Sequence, residues 1–311
     1  MKTTTAKWLL QREFWEHKGA FFWTPVFLGL ITSVLMFVAL LNAPIDAGQL
    51  QVPGHGFAQL ARHMNEKDLN FATNIIAENC VLLAAPVFMP LGFVVFFFSL
   101  FALSDERKDR SVLFWKSLPV SDNATVASKA AAGLFMAPLF VVGAAFLSST
   151  VSLFLLLLVA GFHGMPLGGV FLQSGFYLAP LKLLALVPLY ALWALPTVGW
   201  LMLVGAKSKN PFLFGVLGPI LLGVLVSWFS GSLGLSDGWF WKNVVGRVLL
   251  SAFPGSWIGE ISGQGVDMSV PNTLLAHSGQ LLLAPSLWIG ALAGMVMLYL
   301  AARVRGRSNE A

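Results

Sequence analysis

PVFMPLGFVVFFFSLFALSDERKDRSVLFWKSLPVSD, residues 86–122, passes in one step from an uncharged apolar run to a charged one. Its first nineteen residues carry no charge, whereas 105–122 holds Asp105, Glu106, Arg107, Lys108, Asp109, Arg110, Lys116 and Asp122. The whole protein is only 11% charged and is 57% hydrophobic. That balance lies outside the range of soluble globular chains and predicts a polytopic membrane protein. An uncharged run that stops this abruptly is a membrane span meeting water.

On either side of this stretch, five further runs are long enough to cross a hydrocarbon core of roughly 20 helical residues. The six predicted spans are 20–43, 79–104, 130–160, 181–206, 210–230 and 280–302. The fold class is therefore all-α with six transmembrane helices. Residues 1–19 form a helix before the first span, and 20–311 a single transmembrane domain. No secretory signal is read at the start, because the apolar run from Phe21 is too long and no small-residue cleavage site is evident. Even span number puts both termini on one side. On that side lie fourteen Lys and Arg, from Lys2 to Lys18, Arg107 to Lys129, Lys207, Lys209 and Arg303 to Arg307. The other side has five: Arg62, Lys67, Lys182, Lys242 and Arg247. Acidic residues show no such bias, so the positive-inside rule makes both termini and the 105–122 segment cytoplasmic. The net charge of +5 is then a membrane-orientation signal and calls for no nucleic-acid partner.

The opposite side has two loops, 44–78 and 231–279. Within the first, GFAQLARHMNEKDLNFATNIIAEN reads as helix leading into the second span. Within the second, WFWKNVVGRVLLSAF reads as a short amphipathic helix, with Trp239, Phe240, Trp241, Phe253 and Trp257 at headgroup level. Prolines 86, 90, 138, 188, 196 and 219 fall inside spans, where they can kink helices or simply reflect membrane composition. Asn210 is placed to cap, and Pro211 to start, the fifth span. Gly290 to Gly294, GALAG, matches the close-packing GxxxG pattern, as chance also allows in a chain this rich in Gly and Ala.

Motifs for chemistry are missing. The chain has no G-x-x-x-x-G-K-[ST] to cradle a nucleotide, no H-E-x-x-H and no G-x-S-x-G. SLGLSDGW at 232–239 and NAT at 123–125 lie on the wrong sides for the functions they suggest. His55 and His63 share a loop and read as solvated. Cys80 has no partner for an intramolecular disulfide. No acidic residue sits mid-span, so the relay of an ion-driven carrier is lacking. An intramembrane enzyme would need convergent polar residues at one depth, and none are evident.

The charged segment itself reads as a polar first turn followed by a short helix. Val112, Trp115 and Leu118 recur three apart on one face. Leu118-Pro119 ends that helix, and Ser121 or Asp122 caps the third span. Two readings stay open: a helix resting on lipid, or a docking element for a cytoplasmic partner.

DERKDRSVLFWKSLPVSDNATVASK, 105–129, resembles the second-to-third connection of ABC-2 type permeases, the membrane subunits of type-2 ABC exporters. In that family an acidic pair and basic residues lead through an apolar helix to Leu-Pro-Val-Ser. KWLLQREFWEHKGAFFWTPVF resembles the connecting helix before the family's first span. There Arg12–Glu16 and Glu13–His17 have i,i+4 spacing, and Trp8, Leu10, Phe14 and Trp15 share half a helical wheel. The six-span layout with a longer outer loop before the last span is similar too. The resemblance implies a dimer of permeases, of two identical or two different copies, each docked to a separate ATP-binding subunit that holds ATP and Mg. It implies polar contact with that ATPase from Asp105, Glu106, Arg107 and Arg110, and a packed joint from Val112, Trp115, Leu118 and Pro119. Arg12, Phe14, Trp15 and Glu16 of the connecting helix would complete the contact. The cargo would be hydrophobic or amphiphilic, moved outward across a plasma membrane, in bacteria the inner membrane. A channel or a scaffold subunit is the competing class.

Overall fold

The computed structural model describes residues 3–42, 65–108, 120–162, 167–233, 236–257 and 278–307. Among them there is no strand, and six helices are long and apolar enough to cross a membrane. They are span 1 Gly19–Asn42, span 2 Glu66–Glu106, span 3 Asp122–Phe162, span 4 Ser174–Lys207, span 5 Leu213–Ser232 and span 6 Pro285–Arg307. The chain is a multi-pass membrane protein. A helix over Thr3–Glu16 precedes span 1. Hydrogen bonds from His17 to Glu13 and from Phe21 to His17 carry it into the span without a break. The N-terminal helix and the end of span 6 both pack on the start of span 3. They mark one end of the bundle, called here the terminal end.

Spans 2 and 3 are each 41 residues long. At 1.5 Å per residue this is about 60 Å, twice the hydrocarbon thickness. Their ends therefore stand clear of the lipid. Helix Glu66–Asn79 is the expected lead into span 2, started by a capping box between Asn65 and Asp68. Span 3 starts at Asp122 because the Ser121 hydroxyl accepts from the Ala124 amide at 3.3 Å.

Prolines shape the spans in a particular way. Wide π turns at Gly19–Trp23, Ala132–Met136 and Leu213–Leu217 each hand over to a proline two residues later, Pro25, Pro138 and Pro219. A proline has no amide hydrogen and crowds the carbonyl four residues back, and a wider turn relieves the clash. The carbonyl that Pro219 leaves without its usual donor, Gly215 O, accepts from Trp200 Nε1 at 2.9 Å. Pro86 sits instead in a 3-10 stretch, Cys80–Phe88, and Pro90 in the first turn of Met89–Phe101.

Spans 4 and 6 touch backbone to backbone. A β-carbon on Gly199 would come within 2.5 Å of the Gly294 carbonyl oxygen, so GALAG is a real close-packing surface. Spans 1 and 3 are joined by hydroxyls: Ser33 Oγ lies 3.2 Å from Ser148 Oγ, and Ser152 Oγ donates to Ser33 at 3.1 Å. Spans 1 and 5 are the least embedded of the six, and on span 5 Leu221, Leu225, Trp228 and Phe229 are all exposed.

The connection before span 6 corrects an expectation. Residues 238–250 are helical as predicted, but they do not lie at headgroup level. Trp241 packs on Gly223 halfway along span 5, and Phe253 packs on Gly92 near the middle of span 2. Tyr190 donates to Ala252 O at 2.7 Å and Trp193 to Ser256 Oγ at 2.9 Å. The segment re-enters the bundle to mid-depth, since glycines on the spans leave slots for its rings. Trp239 alone of its first aromatic trio stays largely exposed.

Candidate functional site

At the terminal end four separate stretches of chain bring their charges together. Glu106, on the helix Ser104–Lys108 at the foot of span 2, is 6% exposed. Its carboxylate takes Arg12 at 3.0 Å, Lys129 at 3.3 Å and Arg305 at 3.0 Å. Lys129, 2% exposed in the first turns of span 3, also donates to Glu13 at 3.1 Å. Glu13 is fully buried on the N-terminal helix. Arg305, in the last turn of span 6, bridges onward to Asp122 at the start of span 3. Arg12 also holds Glu16 at 2.7 Å. Burial of the Arg12 guanidinium works against its charge, but hydrogen bonds to Glu16 and Glu106 prevail and raise its pKa.

Buried charges are tolerated only when matched and hydrogen-bonded; here each carboxylate has a cation partner, and Glu13 Oε1 alone of their buried oxygens makes no hydrogen bond, 4.0 Å from Arg12. The network ties the N-terminal helix to spans 2, 3 and 6 at the base of the 105–122 connection. Glu13, Glu16 and His17 bring ligand atoms within 4.8 Å of one another. A metal ion there would have to displace Lys129 and Arg12 from the carboxylates they hold.

Several residues singled out in the sequence take different places. Glu106 does not face outward for a partner: its carboxylate is spent within the network. Glu13 does not pair with the His17 ring as the i,i+4 spacing suggested; His17 Nδ1 meets the Glu13 carbonyl at 3.2 Å, and the carboxylate turns inward to Lys129. Arg12–Glu16 forms as expected. Phe14 stacks on Phe140 at 5.1 Å, whereas Trp15 is 60% exposed. Trp8 points outward too, so the half-wheel of Trp8, Leu10, Phe14 and Trp15 is split, and Leu9 is the buried apolar residue of this helix. Asp105 is exposed and Arg107 lies two residues on in the same helix. Residues 109–119, with Arg110, Val112, Trp115, Leu118 and Pro119, lie outside the described residues.

Beside the network a groove of about 730 Å³ opens between the N-terminal helix and span 2. Arg12, Glu16, His17, Asp105, Glu106 and Lys129 give it a polar lining, and Phe93, Phe97, Phe98 and Phe101 an aromatic one.

A second buried cation lies deeper. Arg247 of the re-entrant segment is 8% exposed, its guanidinium 3.6 Å from the centre of the Trp193 ring. It donates to Ser286 O at 2.8 Å, and its own carbonyl accepts from Thr197 and Ser251. Gly290 leaves it room on span 6. Sequence reasoning placed Arg247 in an outer loop and missed it.

Set against family models, curated proteins and solved structures, the chain matches none. The functional reading rests on its own residues and on the resemblance of its connections.

Proposed function

We propose that this chain is the permease subunit of an ATP-binding cassette exporter of the ABC-2 kind. It pairs with a second permease copy, docks a separate ATPase that binds ATP and Mg, and moves a hydrophobic or amphiphilic substrate outward. Catalysis of hydrolysis belongs to the partner chain. The Lys/Arg asymmetry supports a cytoplasmic terminal end; the bacterial inner membrane is part of the proposal and follows from the resemblance alone.

One observation carries the reading: the buried ion network at the foot of the 105–122 connection. A subunit pressing on that connection, or on the N-terminal helix, meets a joint already locked to spans 2, 3 and 6. Movement there is passed to half the bundle instead of being absorbed locally. A pore or scaffold has no need of such a joint.

Purification of the tagged protein from its native membranes in mild detergent tests this. The expected result is a stoichiometric companion bearing G-x-x-x-x-G-K-[ST], lost in Leu118→Arg while the six-span protein stays inserted. Recovery of no ATPase at any salt or detergent condition would overturn the exporter and leave a channel or scaffold.

A further inference from the structure

The groove beside the network has two unlike walls. Phe93, Phe97 and Phe101 are spaced by four on span 2, so their rings form one stripe. Phe97 and Phe101 lie nearly parallel, at 7° with centroids 6.4 Å apart. Phe93 and Phe97 are 56% and 42% exposed. The facing wall carries Glu16 and His17. Glu16 keeps a 44% exposed side chain while paired with Arg12, and a carboxylate has about four acceptor positions. His17 donates Nδ1–H to the Glu13 carbonyl, so in the neutral ring Nε2 is an acceptor. Lys129 and Arg12 also line this side, but their donors are turned to Glu13, Glu16 and Glu106. The polar groups left to a visitor are acceptors, and ring faces attract cations.

We propose that this groove binds an amphiphilic organic cation, an ammonium head on an apolar body. The head sits by Glu16 and His17 and the body lies along the phenylalanine stripe. An anionic head would meet a carboxylate and the negative faces of the rings. A neutral one would bring no positive charge to the open acceptor positions of Glu16 or to the ring faces. The cavity's size falls within the roughly 300–1,000 Å³ usual for small-molecule sites. The groove thereby names the substrate class of the proposed exporter, and only the transport step after binding rests on that reading.

The test uses the purified full-length protein in phosphatidylglycerol nanodiscs, without any ATPase. The probe is an alkyl trimethylammonium carrying a diazirine on its chain, with labelled sites mapped by peptide mass. Label is expected on residues 12–23 and 89–101, displaced by dodecyltrimethylammonium and not by dodecyl sulfate or dodecanol. Glu16→Gln and Phe97→Leu are each expected to weaken displacement roughly tenfold, the second keeping apolar bulk while removing the ring face. Displacement by dodecyl sulfate as strong as by the cation, or label spread evenly over the spans, overturns the proposal. Labelling is expected to be the same in phosphatidylethanolamine discs; its loss there would assign the groove to an aminolipid headgroup and overturn a free substrate. Cation binding by a protein that brings down no ATPase keeps this inference and sinks the exporter. An ATPase companion with no labelled groove does the reverse.

Discussion

Among the described residues charge is buried in two places, and by opposite means. At the terminal end Glu106 gathers Arg12, Lys129 and Arg305, charge against charge, across four stretches of chain. At mid-depth Arg247 lies against the Trp193 ring and the Ser286 carbonyl. The first arrangement joins helix ends that stand beyond the lipid, where water is close and several partners can converge. The second docks a single re-entrant segment where the surroundings offer rings and carbonyls. Ion networks suit a joint that transmits force between helices. A cation on a ring suits an inserted plug.

Glu106→Ala attacks the joint and carries the largest expected effect. It takes the shared carboxylate from three cations, each of which keeps one other partner, and removing one member of a buried pair costs about 3–5 kcal/mol. Thermal unfolding of the purified protein in detergent should show the loss directly, with the N-terminal helix becoming protease-sensitive first. Unchanged stability would mean the network is solvated and not a joint. Lys129→Met together with Glu13→Leu tests the pairing itself. Replacing a buried ion pair by apolar side chains is often neutral, so the double variant should be more stable than either single one. If the losses simply add, the two groups do not act as a pair.

The plug is tested by Arg247→Lys, which keeps the charge and removes the planar stack. A desolvated cation–π contact is worth about 2 kcal/mol, so a loss of that order is expected. Trp193→Leu also loses the Ser256 hydrogen bond and a buried ring, so the stack is read from a double-mutant cycle, in which the pair should lose less than the sum of the two single variants. Losses that add in full would place the value of Arg247 in its hydrogen bonds instead.

The two regions were not equally open to reading from sequence. The spans, the Ser121 cap and the Arg12–Glu16 pair are local patterns, visible at separations of a few residues. Most of the network is not: Glu106 and Lys129 are 23 residues apart, and Arg12–Glu106 and Glu106–Arg305 lie 94 and 199 apart. Helical spacing offered His17 to Glu13, when Lys129 took it. The re-entrant segment was hidden because a short amphipathic helix rich in Trp fits an interface equally well. What sends it inward is Gly92 and Gly223, on other helices, and a sequence does not announce which glycine faces which ring. The chemistry of the 105–122 connection stands on its resemblance and on the network at its foot.

Between the two charged regions, Ser148→Ala sets an uncharged scale. Ser148 donates to Gly29 O at 2.9 Å and joins Ser33 across spans 1 and 3. Hydrogen bonds between membrane helices average about 0.6 kcal/mol, so the cost should be well below that of either charged site. A loss as large as that of Glu106→Ala would erase the contrast, since hydroxyls would then hold the bundle as firmly as ions.

The smallest effect belongs to a partly exposed charge at the entrance of the re-entrant segment. Asp237 accepts from Ser227 Oγ, and this hydrogen bond holds its carboxyl below the ordinary carboxylate range. Ser227 in turn accepts from Trp241 Nε1 at 2.7 Å, which links the charge to the ring seated on Gly223. A carboxyl whose folded pKa is lowered stabilises the fold fully above its unfolded value, about 3.9, and the benefit fades as pH falls through the folded one. Asp237→Asn should therefore lower the unfolding temperature slightly at pH 6 and make no difference once the wild-type carboxyl is protonated, well below pH ~3.9. Trp241 fluorescence, isolated by difference against Trp241→Phe, reports whether the ring leaves its slot in the same range. A variant equally destabilised at both pH values would trace the effect to lost shape at the Ser227 contact and not to charge, leaving Arg247 and the ion network as the places where charge itself holds the fold.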